Sequence, residues 1–509
     1  MNKNKQLIIN MIASLTSFAV NLGINFFLSP YIVSSLGVEA YGFVALANNF
    51  VSYASIVTIA LNAMAGRYIT IAIHQKDYER ANKYFNSVII SNIIIAAVLL
   101  IPAFFAVNYI EILVNVPHNI LIDVKMLLAF VFLNFLIGVC TSTWGVAFFA
   151  TNNLYKQSGI GICTNFLRAI LIVCFFALLD PSVYFIGLTS CITTVVTVFF
   201  NVINSRKLLP CLIINKKYYD FKALKELISV GIWNSLTQLS QILLSGLDLL
   251  LANLFVSSTA MGVLALAKTV PQVLMSLMST VTSIFSPNLT FDYAEGRIDN
   301  LVDNVKSANK MLTFIIGIPM AIFVSLGMSF YELWVPTQDS IQLQALSVLT
   351  MGVMFVSLHI QVLYQVFTLT KKVKTNSIIM IVSGVVTIIF VFLLLKMANL
   401  GIFAIAGVSV VVGLVRNLIF TPIYAAKCLS IKWNTFYSSI VLGLLNLMGI
   451  SAMTYGVGML ISVTTWFDLF IVVAISVVLA LIFDYMLLLN KKEKLILKHF
   501  IKKENSKND

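Results

Sequence analysis

Charge is scarce in this sequence. Only 10% of its 509 residues are Asp, Glu, Lys or Arg, whereas 60% are hydrophobic, a balance that excludes a soluble globular protein. No polar stretch between the apolar runs is long enough for a separate external domain. The runs themselves, about 20 residues or more, recur from end to end, and each can cross a bilayer. The alternating pattern of an outer-membrane barrel is missing, so the spans are expected to be helices, which satisfy their own backbone hydrogen bonds in lipid. Cysteines are few: Cys140, Cys163, Cys174, Cys191, Cys211 and Cys428. None is placed for an external disulfide or shows metal-ligand spacing, and all are expected to be small core residues. No small-residue cleavage site follows the first run, from about Leu7 to Leu28, which is therefore kept as a helix. No G-x-x-x-x-G-K-[ST] phosphate loop, no H-E-x-x-H and no catalytic triad occurs. The expectation is a protein that is no enzyme and holds neither cofactor nor metal.

What is present repeats. Ala40-Tyr-Gly-Phe-Val-Ala-Leu-Ala47 returns 220 positions later as Ala260-Met-Gly-Val-Leu-Ala-Leu-Ala267. At the same offset Gly187 answers to Gly407, Lys207 to Lys427 and Leu209 to Leu429. The chain reads as a duplication. The apolar spans are expected at 7–29, 42–73, 86–108, 126–149, 157–179 and 182–204, then at 228–256, 261–287, 310–330, 342–369, 375–395 and 400–425. Two more follow at 435–463 and 467–490. The fold class expected is an all-α polytopic membrane protein of about fourteen transmembrane helices, two parallel six-helix repeats plus two extra helices. The divisions are 1–205 for the first repeat, 206–227 for a basic linker and 228–429 for the second repeat. Helices 13 and 14 occupy 430–490, and a basic tail occupies 491–509. Helices 13 and 14 are expected to pack peripherally.

The net charge of +13 is unevenly placed. Loops on the side of the N-terminus, with the tail, carry 27 of the 33 basic residues, whereas the other face has only Lys125 and Lys396. The positive-inside rule then makes both termini cytoplasmic, and nothing points to nucleic acid. The linker, with lysines mixed among aromatics, reads as a hinge on the anionic inner leaflet. The segment 289–309 reads as a helical extension into the cytosol.

Arg67, Arg168, Lys268, Arg416, Asp248 and His359 lie inside the spans. A charge near the bilayer centre costs at least about 2.5–3.5 kcal/mol on insertion scales, so it faces a partner or a wet cavity. At 1.5 Å per residue Arg168 falls midway along its span, and Arg416 and His359 about 15 Å from their inner ends. Arg67 lies far enough along its helix to reach the headgroups. Asp248 and Lys268, each ten residues from Ser258, are expected at similar depth and can pair. For His359 an interhelical hydrogen bond is as good a reading as a site role. Neutral polar residues form stripes at helical spacing: Asn10, Ser14, Asn21 and Asn25; Asn48, Ser52, Ser55 and Asn62; Asn234, Gln238, Gln241, Ser245 and Asp248. Such residues can simply glue helices together. Their recurrence in repeat-equivalent helices favours the lining of a wet cavity.

Pro30-Tyr-Ile-Val-Ser-Ser-Leu-Gly37-Val-Glu-Ala-Tyr-Gly42 and its echo Asp248…Gly262-Val-Leu-Ala-Leu-Ala resemble the signature loops of polysaccharide repeat-unit (O-unit and capsule, Wzx-type) flippases. These belong to the multidrug/oligosaccharidyl-lipid/polysaccharide exporter superfamily. The fourteen-helix layout with a basic loop after the sixth span is similar too. The resemblance implies transfer of an undecaprenyl-pyrophosphate-linked oligosaccharide from the cytoplasmic to the outer leaflet of a bacterial plasma membrane by alternating access. Arg168, Lys268 and Arg416 would supply a cationic cavity. H+ or Na+ are the candidate coupling ions, and a polysaccharide polymerase is the candidate partner. The competing expectations are a drug or cation antiporter of the same superfamily, which would favour carboxylates in the cavity, and a membrane polymerase or ligase, which would need a large external loop. A non-transporting scaffold would not need the stripes.

Overall fold

The computed structural model describes residues 3–370, 372–397, 400–488 and Lys494. Lys371 and, Lys494 apart, the tail expected over 491–509 lie outside the described residues. Among those described, the chain is helical throughout, with no strand. The first helices are α1 (Lys3–His74), α2 (Tyr78–Asn108), α3 (Ile110–Leu113), α4 (Leu121–Thr141) and α5 (Val146–Ala150). They are followed by α6 (Leu154–Leu178), α7 (Tyr184–Leu208), α8 (Phe221–Gln241), α9 (Asp248–Phe255) and α10 (Ser258–Ala267). Next come α11 (Thr269–Ala294), α12 (Ile298–Leu312), α13 (Ile318–Trp334), α14 (Ser340–Ser357) and α15 (Leu363–Leu369). The last are α16 (Val373–Met397), α17 (Ile402–Val415), α18 (Thr421–Leu429), α19 (Tyr437–Leu460) and α20 (Trp466–Leu487). The helices form two compact units, Met1–Leu266 with Met380–Ile405, and Ala267–Ile379 with Ala406–Asp509.

Thirteen helical segments among the described residues are long and apolar enough to cross a membrane. The first of them covers 66 residues, about 100 Å of helix against a hydrocarbon core of about 30 Å. It is two spans in tandem. Gly37 breaks it at φ 86° and ψ 164°, a conformation open to glycine alone. Across that break the hydroxyls of Ser29 and Tyr41 lie 3.5 Å apart, where a straight helix would hold residues so spaced about 18 Å apart. With α1 counted twice, the crossings agree with the fourteen expected.

In the first unit the second half of α1 packs on α8, and its first half on α6. The two copies of the echoed octapeptide meet at their glycines: a Cβ on Gly42 would lie 2.7 Å from the Gly262 Cα. Only glycine permits that approach. On α2, Ile93, Val98, Ile101 and Phe105 are each more than half exposed, the face such a helix offers to lipid.

The segment expected as a hinge is pinned instead. Asn82 donates to the Cys211 carbonyl at 2.8 Å and accepts from the Ile213 N–H at 2.9 Å. Asn86 repeats the pattern one turn on, donating to Ile213 O at 2.9 Å and accepting from Asn215 N–H at 2.8 Å. Ser87 accepts from the Asp220 N–H at 2.9 Å. The side-chain amides thus pair with the strap as a neighbouring β-strand would, which satisfies a backbone with no ladder of its own.

The second unit has its own apolar core, shared by α11 to α15, α18, α19 and α20. Helices 13 and 14 of the expected count, α19 and α20, were placed at the periphery from sequence. Each has an exposed outer face, at Met448 and Tyr455 on α19 and at Phe467, Phe470 and Val478 on α20, and each also joins the core, through Ile440 and Ile450 of α19 and Val472 and Ala480 of α20. The stretch 289–309 is helical on both sides of a turn at Gly296 (φ 72°). Of the cysteines, Cys163 and Cys174 are exposed rather than core residues; both lie on α6.

Candidate functional site

The polar stripe of the first span faces α6 and is bonded to it. Asn10 donates to the Asn152 carbonyl at 2.9 Å and accepts from the Tyr155 N–H at 3.0 Å. Ser14 and Ser158 share a hydrogen bond at 3.3 Å, and Asn21 donates to Asn165 at 3.4 Å. At the far end Arg168 donates through Nη2 to Asn25 Oδ1 at 3.0 Å, and Asn25 donates in turn to Asn21 Oδ1 at 2.8 Å. This is largely the gluing role, each rung contributing about 0.6 kcal/mol in a membrane. Arg168 is the exception, because its buried Nε has no partner among the described residues.

Asn234, Gln238 and Gln241, the corresponding stripe of α8, behave oppositely. Their side chains make no hydrogen bond among the described residues; Asn234 and Gln238 are half-buried and Gln241 is exposed. Beside them Ser235 docks α8 by donating to the Ile56 carbonyl at 2.6 Å.

The stripe of the second span opens on a cavity of about 380 Å³ inside the first unit. Its polar wall is Asn48, Thr58 and Asn62 from α1, Asn134 from α4, Ser142, and Thr194 from α7. No charged residue lines it. Asn92 of α2, fully buried, closes one end. It donates to Asn62 Oδ1 at 2.9 Å and to Ser142 Oγ at 3.1 Å. Asn134 Oδ1 is buried without a partner. The wall therefore offers amides and hydroxyls, the groups that hydrogen-bond sugars or water. Asn92 and Asn134 lie outside the three stripes read from the sequence, and what brings them to this cavity is the packing of α2 and α4 on α1.

Four of the six ionisable candidates sit where the helix is irregular. A π-helical turn at Ile242–Gly246 precedes Asp248, and the carbonyl it frees at Gly246 accepts from Asn49 at 3.1 Å and from the Tyr53 hydroxyl at 2.6 Å. Asp248 is buried at the head of α9. Lys268 is half-buried in the break between α10 and α11. His359 lies between α14 and α15, so the single span expected at 342–369 is interrupted. Bonds such as His359 N–H to Val356 O at 3.1 Å and Leu363 N–H to Ile360 O at 2.8 Å tighten that break and keep its backbone satisfied. The buried ring of His359 shares a hydrogen bond through Nδ1 with Thr313, which opens a second π turn, Thr313–Gly317. It lies against Gly443 of α19, where a Cβ would collide with it. Arg416 begins a third π turn, Arg416–Phe420. Its Nε donates to Asn417 Oδ1 at 3.2 Å, which the Tyr364 hydroxyl also reaches at 3.0 Å. The buried Nη1 of Arg416 has no partner among the described residues. Such interruptions at membrane depth occur where backbone is buried in protein or lines a cavity, and π turns gather at functional sites. Arg67 stands apart from these groups, exposed near the end of α1.

One intramembrane carboxylate was passed over. Asp484 of α20 is fully buried and accepts from Asn446 of α19. A lone Asp between Phe483 and Tyr485 was the available signal.

No family model matches the sequence. The chain is similar to the uncharacterized membrane protein EpsK of Bacillus subtilis (strain 168), 28% identical over 502 residues, 98% of this chain and 99% of that one. Its fold is similar to an inward-facing multidrug resistance MATE family transporter of the MOP superfamily, with TM-score 0.67 and 15% identity over 83% of this chain and 98% of that one. It is likewise similar to the lipid II flippase MurJ in an inward closed conformation, with TM-score 0.64 and 16% identity over 94% of this chain and 98% of that one. The chain therefore has the all-helical polytopic fold of these membrane proteins.

Proposed function

We propose that the chain is a transporter that carries an undecaprenyl-pyrophosphate-linked oligosaccharide repeat unit from the cytoplasmic to the outer leaflet of the plasma membrane by alternating access, for polysaccharide biosynthesis. The observation that carries this reading is the pair of membrane-embedded arginines. Arg168 and Arg416 each keep a buried guanidinium nitrogen without a partner among the described residues, and in each an asparagine oxygen accepts from one other nitrogen of the group. A planar fork with open donors in a low-dielectric setting suits a pyrophosphate. The neutral amide and hydroxyl wall of the first-unit cavity suits sugars.

The fold supports the same reading, since the likeness to a lipid II flippase extends over 94% of the chain. The touching glycines Gly42 and Gly262 support the duplication, because contact between equivalent residues is what a local two-fold relation produces. The layout proposed is two repeats, 1–205 and 228–429, with helices 13 and 14 added over 430–490, both termini cytoplasmic and transport coupled to H+ or Na+. A polysaccharide polymerase is the partner that would receive the product. A drug or cation antiporter has a fold precedent in the MATE transporter, but the first-unit cavity offers a cation no carboxylate.

The test is export of the polysaccharide by cells carrying Arg168→Gln or Arg416→Gln. Each is expected to insert normally and to impair export, and the Lys variants to recover part of it. Normal export by both Gln variants would make the arginines structural.

A further inference from the structure

The first unit holds a second concavity, of about 330 Å³, where the end of α1, the start of α2 and α8 meet. It shares no residue with the cavity described above. Two arginines, two tyrosines and a glutamine form its polar wall: Arg67 and Tyr68 from α1, Gln75 from the turn that follows, and Arg80 and Tyr84 from α2. Met64, Ile71 and Val230 supply an apolar rim, of which Ile71 and Val230 are each 44% exposed.

The wall is built rather than incidental. Tyr68 and Tyr84 pack edge to face with centroids 5.4 Å apart. Arg80 donates through Nε and Nη2 to the Tyr84 hydroxyl at 3.1 and 3.0 Å, and Tyr84 donates to Glu226 Oε2 of α8 at 2.7 Å. Glu226 Oε1 lies 3.8 Å from Arg80 Nη2. The carboxylate thus fixes Arg80 and neutralises one guanidinium. Arg67, exposed, donates to nothing among the described residues. The pocket keeps one uncompensated cation beside a second, positioned one. Its depth follows from the chain: Arg67 is seven residues from the end of α1 and Arg80 two from the start of α2. Both therefore stand where apolar helix gives way to the His74–Asp77 turn, at headgroup level.

We propose that this pocket binds the phosphate of a membrane lipid headgroup, with Arg67 and Arg80 on the phosphate oxygens and the lipid's apolar part along Met64, Ile71 and Val230. Guanidinium forks match phosphate oxygens bidentately, and a soluble anion has no use for the exposed aliphatic rim. The inference goes beyond the transport reading and stands without it, because it concerns residues outside the central arginines.

The test is native mass spectrometry of the purified full-length protein, with Arg67→Gln as the variant because Arg67 makes no side-chain hydrogen bond or ion pair among the described residues. Three probes are compared: phosphatidylglycerol, a polyprenyl diphosphate and inorganic pyrophosphate, with phosphatidylcholine as the lipid without net charge. One or both phosphate-bearing anionic lipids are expected to bind, at least about tenfold more weakly to Arg67→Gln, with Arg67→Lys intermediate. Preference for phosphatidylglycerol identifies a structural lipid, and preference for the polyprenyl diphosphate identifies a station for a lipid-linked substrate. Equal binding to wild type and Arg67→Gln would overturn the proposal. So would inorganic pyrophosphate or phosphatidylcholine binding as tightly as the tighter-binding of the two anionic lipids.

Discussion

The first and seventh spans both carry polar stripes at helical spacing, yet the structure uses them differently. Asn10, Ser14, Asn21 and Asn25 are all tied down, to α6 or to one another. Asn234, Gln238 and Gln241 make no side-chain hydrogen bond among the described residues, although α8 itself is docked through Ser235 on α1. A stripe at helical spacing therefore shows only that one face of a helix is polar. Whether that face serves packing or a passage depends on what the neighbouring helix presents. The first span meets Asn152, Ser158, Asn165 and Arg168, four matching polar groups, and becomes a seam.

The sharpest way to test this difference is at the end of the seam that Arg168 holds. Asn25→Ala removes the one acceptor of the Arg168 guanidinium among the described residues. Loss of a hydrogen bond to a charged group is expected to lower stability by about 1.5–3 kcal/mol, read as a fall in the unfolding midpoint of the protein in detergent. Asn10→Ala, which loses neutral bonds to Asn152 and Tyr155, should cost about 1 kcal/mol by the same measurement. The alanine variants of Asn234, Gln238 and Gln241 should leave stability within about 0.5 kcal/mol and yet reduce export. A loss of stability as large as that of Asn10→Ala would show that these residues, too, are glue.

Much of this was legible in the sequence, for definite reasons. Hydropathy located the spans, because the bilayer sets their length, and steps of three and four placed each stripe on one face. The break at Gly37 lay within the quoted Pro30–Gly42 loop. The interruptions at 242–246, 313–317, 358–362 and 416–420 were not legible. They depend on groups supplied from elsewhere, as Asn49 and Tyr53 take the carbonyl that Gly246 frees. The same holds for the strap at 211–220, whose partners Asn82, Asn86 and Ser87 lie about 130 residues away in the chain. Lysines and aromatics gave that segment the look of a hinge. Its order comes from asparagines one turn apart on another helix.

Arg168 marks the limit of the contrast, since it ends the seam and still keeps a buried donor without a partner. Arg416 repeats that condition in the second unit through its Nη1. In the proposed function these donors meet an anionic lipid-linked sugar. The most direct measurement is transbilayer movement of a fluorescent polyprenyl-diphosphate oligosaccharide in liposomes carrying the purified protein, with a cationic dye run in parallel. Wild type is expected to move the diphosphate lipid and not the dye, and Arg168→Gln and Arg416→Gln to move it at least about tenfold more slowly, a barrier increase of about 1.4 kcal/mol. Movement of the dye alone, or equal rates for wild type and both variants, would contradict the claim.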